Sequence, residues 1–98
     1  MGLWITNYKG YEHRGTIYVG LARGEYYVKR VMRMNVIKYA VSFHYPLFQN
    51  ENETSNDKIF GWDSLNVDID TLINIDADMF KIGYSRLKEL YNETIDII

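Results

Sequence analysis

The stretch that decides the fold is Val36-Ile37-Lys38-Tyr39-Ala40-Val41-Ser42-Phe43-His44-Tyr45. Its odd-numbered positions are all large and apolar or aromatic, and its even-numbered positions after Val36 are small or polar. Successive side chains of a strand point to opposite faces, so this alternation predicts a strand with one buried face. We expect the rest of the chain to complete a sheet and to cover that face.

The segments before this stretch predict three further strands, at Gly2–Tyr8, Thr16–Leu21 and Tyr26–Met34. Ala22–Glu25 is a hairpin candidate, because Gly24 stands where a type II turn needs glycine. A β-bulge near Lys29–Arg30 would reconcile the apolar faces of the third strand. Asn35 favours a tight turn, and the alternative is one long, kinked strand over residues 26–45.

The segments after Tyr45 predict the end of the strand, a polar loop and then two further strands. Pro46 is predicted to end the strand, because proline has no N–H to donate to a neighbouring strand. Residues 46–58 are polar and acidic after Phe48, so we expect an exposed, mobile loop. Ile59–Trp62 and Leu65–Ile69 then predict strands.

The C-terminal segment has helical periodicity. Apolar and aromatic residues recur every three or four positions, at Phe80, Tyr84, Leu87, Tyr91, Ile95 and Ile98. Asp76 or Asp78 would cap this helix, and Gly83 would let it approach a strand closely. We therefore expect one α+β domain over residues 1–98: an antiparallel β-meander of four to six strands with one amphipathic C-terminal helix packed on it through Phe80, Tyr84, Leu87 and Tyr91. A partly open barrel capped by the helix is the alternative.

Composition excludes several classes of protein. The chain is 47% hydrophobic and 24% charged and has no Cys, which fits a soluble domain without disulfides or thiolate chemistry. No apolar run approaches the roughly 20 residues that span a bilayer, and the first residues do not show the basic region followed by an apolar stretch that is typical of a signal peptide. We expect a cytoplasmic (intracellular) protein that does not bind membranes.

Catalytic and cofactor motifs are also lacking. The two histidines, His13 and His44, have no nucleophile elbow near them, and no glycine-rich nucleotide loop occurs. The acidic run that starts at Asp68 fails the calcium-loop pattern, because Ile73 stands where glycine is required. We expect no enzyme activity, no cofactor and no metal.

The charge divides unevenly along the chain. Up to Gln49 there are seven Lys or Arg against two Glu, whereas from Asn50 onward four Lys or Arg stand against eleven acids. An acidic surface at Asp68, Asp70, Asp76 and Asp78 could attract a basic partner protein. Small acidic inhibitors and accessory factors encoded by viruses and mobile elements have this charge character, and no motif ties the chain to any of them.

A second candidate surface is basic and aromatic. Alternation predicts one sheet face that displays Trp4, Tyr8, Tyr18, Tyr27, Lys29, Arg33, Lys38 and His44. Aromatic rings among cations could stack unpaired bases and attract phosphates. The sequence thus favours a small non-catalytic module that binds another protein. The alternatives are a single-stranded nucleic-acid-binding domain and a homodimer formed through the basic-aromatic face, and the acidic pI of 5.6 makes nucleic acid the weaker alternative to a protein partner.

Overall fold

A computed structural model describes residues 2–69 and 75–97, with all their side chains except those of residues 33 and 75–78. These residues contain β1 (Gly2–Thr6), β2 (Thr16–Val19), β3 (Glu25–Arg33), β4 (Val36–Phe48), β5 (Gly61–Ile69), α1 (Ile75–Leu90) and β6 (Thr94–Ile97). Short 3-10 helices occur at Glu12–Arg14, Leu21–Arg23 and Asn56–Lys58. The six strands form one antiparallel sheet that does not close into a barrel, which confirms the predicted α+β meander with a helix near the C-terminus.

The sheet is built around β4. One edge of β4 pairs with β5 from Tyr39 to Leu47. The other edge pairs first with β3, from Val36 to His44, and then with β2 at Leu47 and Phe48. β1 follows β2, and β6 follows β1. The deciding stretch is therefore the central strand, with strands on both edges.

β2 and β3 lie end to end along one edge of β4, so the predicted hairpin at Ala22–Glu25 is wrong. The 3-10 helix Leu21–Arg23 separates the two strands. A Cβ added at Gly24 would collide with the carbonyl oxygen of His44. Glycine is required here because the chain passes very close to the β4 backbone. A hairpin turn between β2 and β3 is not the reason.

Pro46 does not end the central strand, which continues to Phe48, and Pro46–Phe48 are buried rather than part of an exposed loop. β2 ends at Val19, opposite Leu47, and β3 begins at Glu25, opposite His44, so neither strand pairs with Pro46 on that edge. The missing N–H of proline thus falls in the gap between two neighbouring strands, where no hydrogen bond is lost.

A two-residue turn joins β3 to β4. Met34 and Asn35 have φ angles of 52° and 64°, the left-handed pair of a type I′ hairpin. This confirms the tight turn and excludes the single kinked strand. The register runs without interruption from Glu25–His44 to Arg33–Val36, so the predicted bulge at Lys29–Arg30 is absent and Arg30 is exposed.

α1 covers one face of the sheet. Met79, Tyr84 and Leu87 are buried, and Phe80 lies edge-on against Tyr26 at 5.4 Å between ring centroids. The backbone N–H of Leu21 donates to the Tyr84 hydroxyl oxygen (2.9 Å). The close approach predicted for Gly83 is confirmed, since an added Cβ would lie 2.6 Å from Leu21 and 2.9 Å from Phe43.

The helix is shorter than its periodicity predicted. It ends at Leu90, and Thr94–Ile97 form β6 against β1, with Ile95 exposed. β-branched residues suit a pleated strand, and the free edge of β1 offers a full set of backbone partners. Tyr91 packs as predicted but outside the helix, with its ring stacked on Tyr8 at 4.9 Å. Ile98 lies outside the described residues.

Candidate functional site

One face of the β3–β4–β5 sheet is open and carries polar side chains from all three strands. The register places Glu25, His44 and Ser64 side by side in one row. Because side chains alternate along each strand, the same face collects neighbours two residues apart. We call this surface the open face, and it comprises Glu25, Tyr27, Lys29, Lys38, Ser42, His44, Trp62, Ser64, Asn66 and Asp68.

Aromatic rings and hydrogen-bonding groups lie together on the open face. The His44 ring stacks on Trp62, with 4.9 Å between centroids and an interplanar angle of 11°. Trp62 is 49% exposed and Tyr27 is 63% exposed. Ser42 Oγ donates to Asn66 Oδ1 at 2.6 Å. A depression of about 390 Å³ lies beside Trp62 and is lined by Glu25, Tyr27, Ser42, Phe43, His44, Ser64 and Asn66.

The row of Glu25, His44 and Ser64 has the residue types of a catalytic triad but not its geometry. His44 Nδ1 lies 3.3 Å from Ser64 Oγ, and among the described residues no hydrogen bond joins His44 to Glu25. The backbone N–H of Ser64 donates to Asp63 Oδ1 (2.7 Å), so it does not form an oxyanion hole. Among the described residues, the row therefore lacks the continuous hydrogen bonds from carboxylate to His to Ser that define a catalytic triad.

The turn end of the β3–β4 hairpin projects beyond the last β5 pair, Tyr39 with Ile69. We call residues 29–38 the arm. Val31 is half-buried, and the other four apolar side chains of the arm are exposed: Met32 by 67%, Met34 by 96%, Val36 by 52% and Ile37 by 45%. Of the nine large apolar or aromatic side chains exposed in the described residues, six lie between Tyr26 and Ile37. Such a concentration marks an interaction surface, since single exposed apolar residues are normally scattered.

The arm is also basic. Lys29, Arg30 and Lys38 are exposed, and no Asp or Glu occurs in the sequence between Tyr26 and Asn50. The ion pairs among the described residues are Arg86–Glu89 and Lys88–Asp96, so none of these three cations has an acidic partner there. These charges are free to meet an acidic group of another molecule.

The structure keeps only part of the predicted basic-aromatic face together. Tyr27, Lys29, Lys38 and His44 share the open face, whereas the side chain of Arg33 lies outside the described part of the structure. Trp4 pairs with Tyr18 farther along the sheet, where Trp4 is half-buried and Tyr18 is buried. Arg23, whose Nη2 donates to the carbonyl oxygen of Thr54, lies beside that region.

Tyr8 does not belong to this face at all, because it lies in the interior and is only 1% exposed. Its hydroxyl donates to Asp63 Oδ2 and lies 2.6 Å from the Tyr45 hydroxyl, which must then be the donor to Tyr8. Burial raises the pKa of Tyr8 and of Tyr45 above the ordinary tyrosine value. This cluster ties the β1–β2 loop to β4 and β5 and has a structural role.

Of the four residues that form the predicted acidic surface, the structure describes the side chain of Asp68 alone. Asp68 is exposed, and it lies opposite Ala40, whose other neighbour is Lys29, so it belongs to the open face. Asp70 and the side chains of Asp76 and Asp78 lie outside the described residues, as does the predicted helix cap. The acidic surface as a cluster stays a prediction.

Sequence reasoning missed the most exposed part of the surface. The predicted strand Ile59–Trp62 places Trp62 in an apolar segment. The structure instead has one strand, β5, in which Ser64, Asn66 and Asp68 alternate with Leu65 and Val67 and lie with Trp62 on the open face. The exposure of Met32, Met34 and Ile37 had no signal in the sequence, because their alternation is that of a half-buried strand. The exposure of these side chains depends on where β5 and α1 end.

Comparison with known proteins does not assign a family, since no protein-family model, curated protein or solved structure matches this chain. In the parts of the chain at residues 2–69 and 75–97, no helix has the length and apolar character to cross a membrane. The side chains described there include no group of three His, Asp or Glu that could hold a metal ion.

Proposed function

We propose that this chain is a small non-catalytic module that binds another protein through the β3–β4 arm. The observation that carries the proposal is the concentration of exposed Met32, Met34, Val36 and Ile37 on a projecting hairpin. Methionine, tyrosine and arginine are enriched in protein interfaces. β3 carries all three types, for example as Tyr27, Arg30 and Met32. A module of this kind acts on its partner as an inhibitor or accessory factor.

The turn residue Met34 supports the proposal independently. It occupies the first central position of a type I′ turn, where Asn or Gly is strongly preferred, with φ at 52°. A bulky side chain in the left-handed region costs about 1–2 kcal/mol, and Met34 recovers nothing from burial because it is 96% exposed. An unfavourable residue at the tip of the arm is consistent with selection for a contact outside the chain.

The charge of the arm indicates the chemistry of the partner. Lys29, Arg30 and Lys38 lie among the apolar side chains and form no ion pair with the described residues. A partner with an apolar patch bordered by Asp or Glu would match both features. The proposed binding surface therefore lies in the basic half of the chain, whereas the sequence predicted it at the acidic residues.

Affinity capture with matched variants tests this proposal. The arm variant is Met32→Ser/Met34→Asn, and the control is Leu90→Ser/Ile95→Ser, which changes two exposed apolar residues away from the arm. We expect partners captured by the native chain to be lost with the arm variant and kept with the control. Equal capture by the arm variant and the native chain would rule out the arm as the binding surface.

Single-stranded nucleic acid is the second candidate partner, and the stacked His44–Trp62 pair beside Tyr27 and Lys29 favours it. Successive bases stack on such rings and phosphates follow the cations. Binding would quench Trp62, with Trp62→Phe leaving only half-buried Trp4 as the control. The quenching should fade as salt rises, and its absence at about 50 mM salt, where phosphate contacts are strong, would exclude this candidate.

A further inference from the structure

The outer edge of β3 is a free strand edge nine residues long. Among the described residues, β3 pairs with β4 alone. In a two-residue hairpin the pair that closes the turn, Arg33–Val36, is hydrogen-bonded, and bonded and non-bonded pairs then alternate. The backbone N–H and C=O groups of Tyr26, Val28, Arg30 and Met32 therefore point away from β4. They form a complete edge for one further strand.

The side chains beside this edge select the kind of strand that fits. Lys29 stands on the open face and Arg30 on the opposite face, and both are exposed without an acidic partner among the described residues. Tyr26, Tyr27 and Met32 present exposed apolar or aromatic surface on either side of them. An added strand would meet cations at its centre and apolar groups at its ends.

We propose that the β3 edge takes an extended acidic-apolar segment of the partner protein as a seventh strand. This inference rests on the proposed function of the arm and specifies how the partner is held. Backbone hydrogen bonds to the four outward-facing residues would supply affinity, and Asp or Glu opposite Lys29 or Arg30 would supply specificity.

The sheet already contains a strand of this class on the other edge of β4. In β5, apolar Leu65, Val67 and Ile69 alternate with polar residues that end in Asp68. Asp68 lies opposite Ala40, one strand away from Lys29. Lys29 and Asp68 therefore lie on the same face, on either side of Ala40, and the outer edge of β3 has no neighbouring strand among the described residues.

Titration with a defined peptide tests the proposal. The probe is a blocked peptide with the sequence of residues 64–70, Ser-Leu-Asn-Val-Asp-Ile-Asp, added to the full isotope-labelled chain into the millimolar range. We expect the amide protons of Tyr26, Val28, Arg30 and Met32 to shift downfield and to exchange more slowly with solvent as the peptide binds. The amides that alternate with them already bond to β4 and should change less.

Two control peptides separate strand addition from other binding. N-methylation of every second residue of the probe, in each of the two frames, should abolish binding in the frame that faces β3. Replacement of both Asp by Lys should also abolish binding. Equal binding by the native and by both N-methylated peptides would overturn the proposal, as would shifts confined to the open face or to α1.

A variant of the chain completes the test. Arg30→Pro removes one outward N–H without breaking a bond to β4, whereas Arg30→Ala removes only the charge. We expect Arg30→Pro to lose the probe and Arg30→Ala to keep weakened binding. If Arg30→Pro does not fold, the N-methylated peptides decide alone.

The outcomes distinguish this inference from the function on which it rests. If the probe peptide does not bind but Met32→Ser/Met34→Asn still loses the captured partners, strand addition is overturned and the arm remains the binding surface. Concentration-dependent protection of the four edge amides, with dimers in sedimentation, would overturn the proposal by making a second copy of the chain the occupant.

Discussion

Replacing Gly83 with alanine tests how closely α1 packs on the sheet. Two effects oppose each other in this variant. Alanine inside a helix is favoured over glycine by about 1 kcal/mol. The new methyl group, however, would lie 2.6 Å from Leu21 Cδ1 and 2.9 Å from Phe43 Cζ, well inside normal van der Waals separation.

We expect the steric clash of the new methyl group to outweigh the gain in helix propensity. Leu21 is 1% exposed and Phe43 is also 1% exposed, so neither side chain has free space into which to move. Overpacking a well-packed core costs about 1–3 kcal/mol. After the gain in helix propensity is subtracted, the expected destabilisation is about 1 kcal/mol, which lowers the melting temperature by roughly 4–8 °C in a domain of this size.

Thermal and urea unfolding followed by far-UV circular dichroism measure this change. Ser85→Ala is the matched control, because Ser85 is an exposed position of the same helix and should gain only a few tenths of a kcal/mol from propensity. A Gly83→Ala variant as stable as the native chain, or more stable, would refute the close packing of α1 against Leu21 and Phe43.

Three further predictions follow from the buried tyrosines and the hairpin turn. Tyr8→Phe removes the hydroxyl that joins Asp63 and Tyr45, and urea unfolding should show a loss of about 1–3 kcal/mol. The pKa values of Tyr8 and Tyr45 are raised by burial, so their contribution to stability is full below the unfolded-state value of about 10 and is lost as the pH rises above it. Urea midpoints should therefore be flat from about pH 7 to 9 and fall above about pH 10, with a smaller fall in Tyr8→Phe; an unchanged midpoint at high pH would contradict the burial of both hydroxyls. Met34→Asn suits the type I′ turn and should raise the free energy of unfolding by about 0.5–1 kcal/mol while partner capture falls, and a loss of stability would argue against the turn geometry.

The sequence predicts the local elements well because they follow from alternation and turn chemistry. The strand through Val41, Phe43 and Tyr45 and the turn at Asn35 depend on a few neighbouring residues, and the structure contains both. The close approach at Gly83 is likewise a local consequence of a glycine within a helical stripe.

Long-range pairing could not be predicted in the same way. Whether β3 follows β2 in a hairpin or lies end to end with it depends on β4, which is long enough to pair with both. The strand through Pro46 and the strand at Thr94–Ile97 exist because an edge of another strand is available to them. Local propensity at Pro46 favoured a break, and periodicity at Ile95 favoured helix.

The candidate surface was predictable only in part for the same reason. Tyr27, Lys29, Lys38 and His44 share a face by alternation alone. Their exposure, and that of Met32 and Met34, depends on how far β5 and α1 extend across the sheet. Burial of Tyr8 required knowledge of its contact with Asp63, which is 55 residues away in sequence.

Peroxide footprinting of methionine tests the exposed arm most directly. Oxidation by dilute hydrogen peroxide follows solvent access, and mass spectrometry measures the rate at each site. Met34 and Met32 are 96% and 67% exposed, whereas Met79 is 0% exposed. We predict that Met34 and Met32 react at nearly the rate of a free methionine and that Met79 reacts only when the chain unfolds. Protection of Met32 and Met34 equal to that of Met79, in a dilute monomer, would contradict the account.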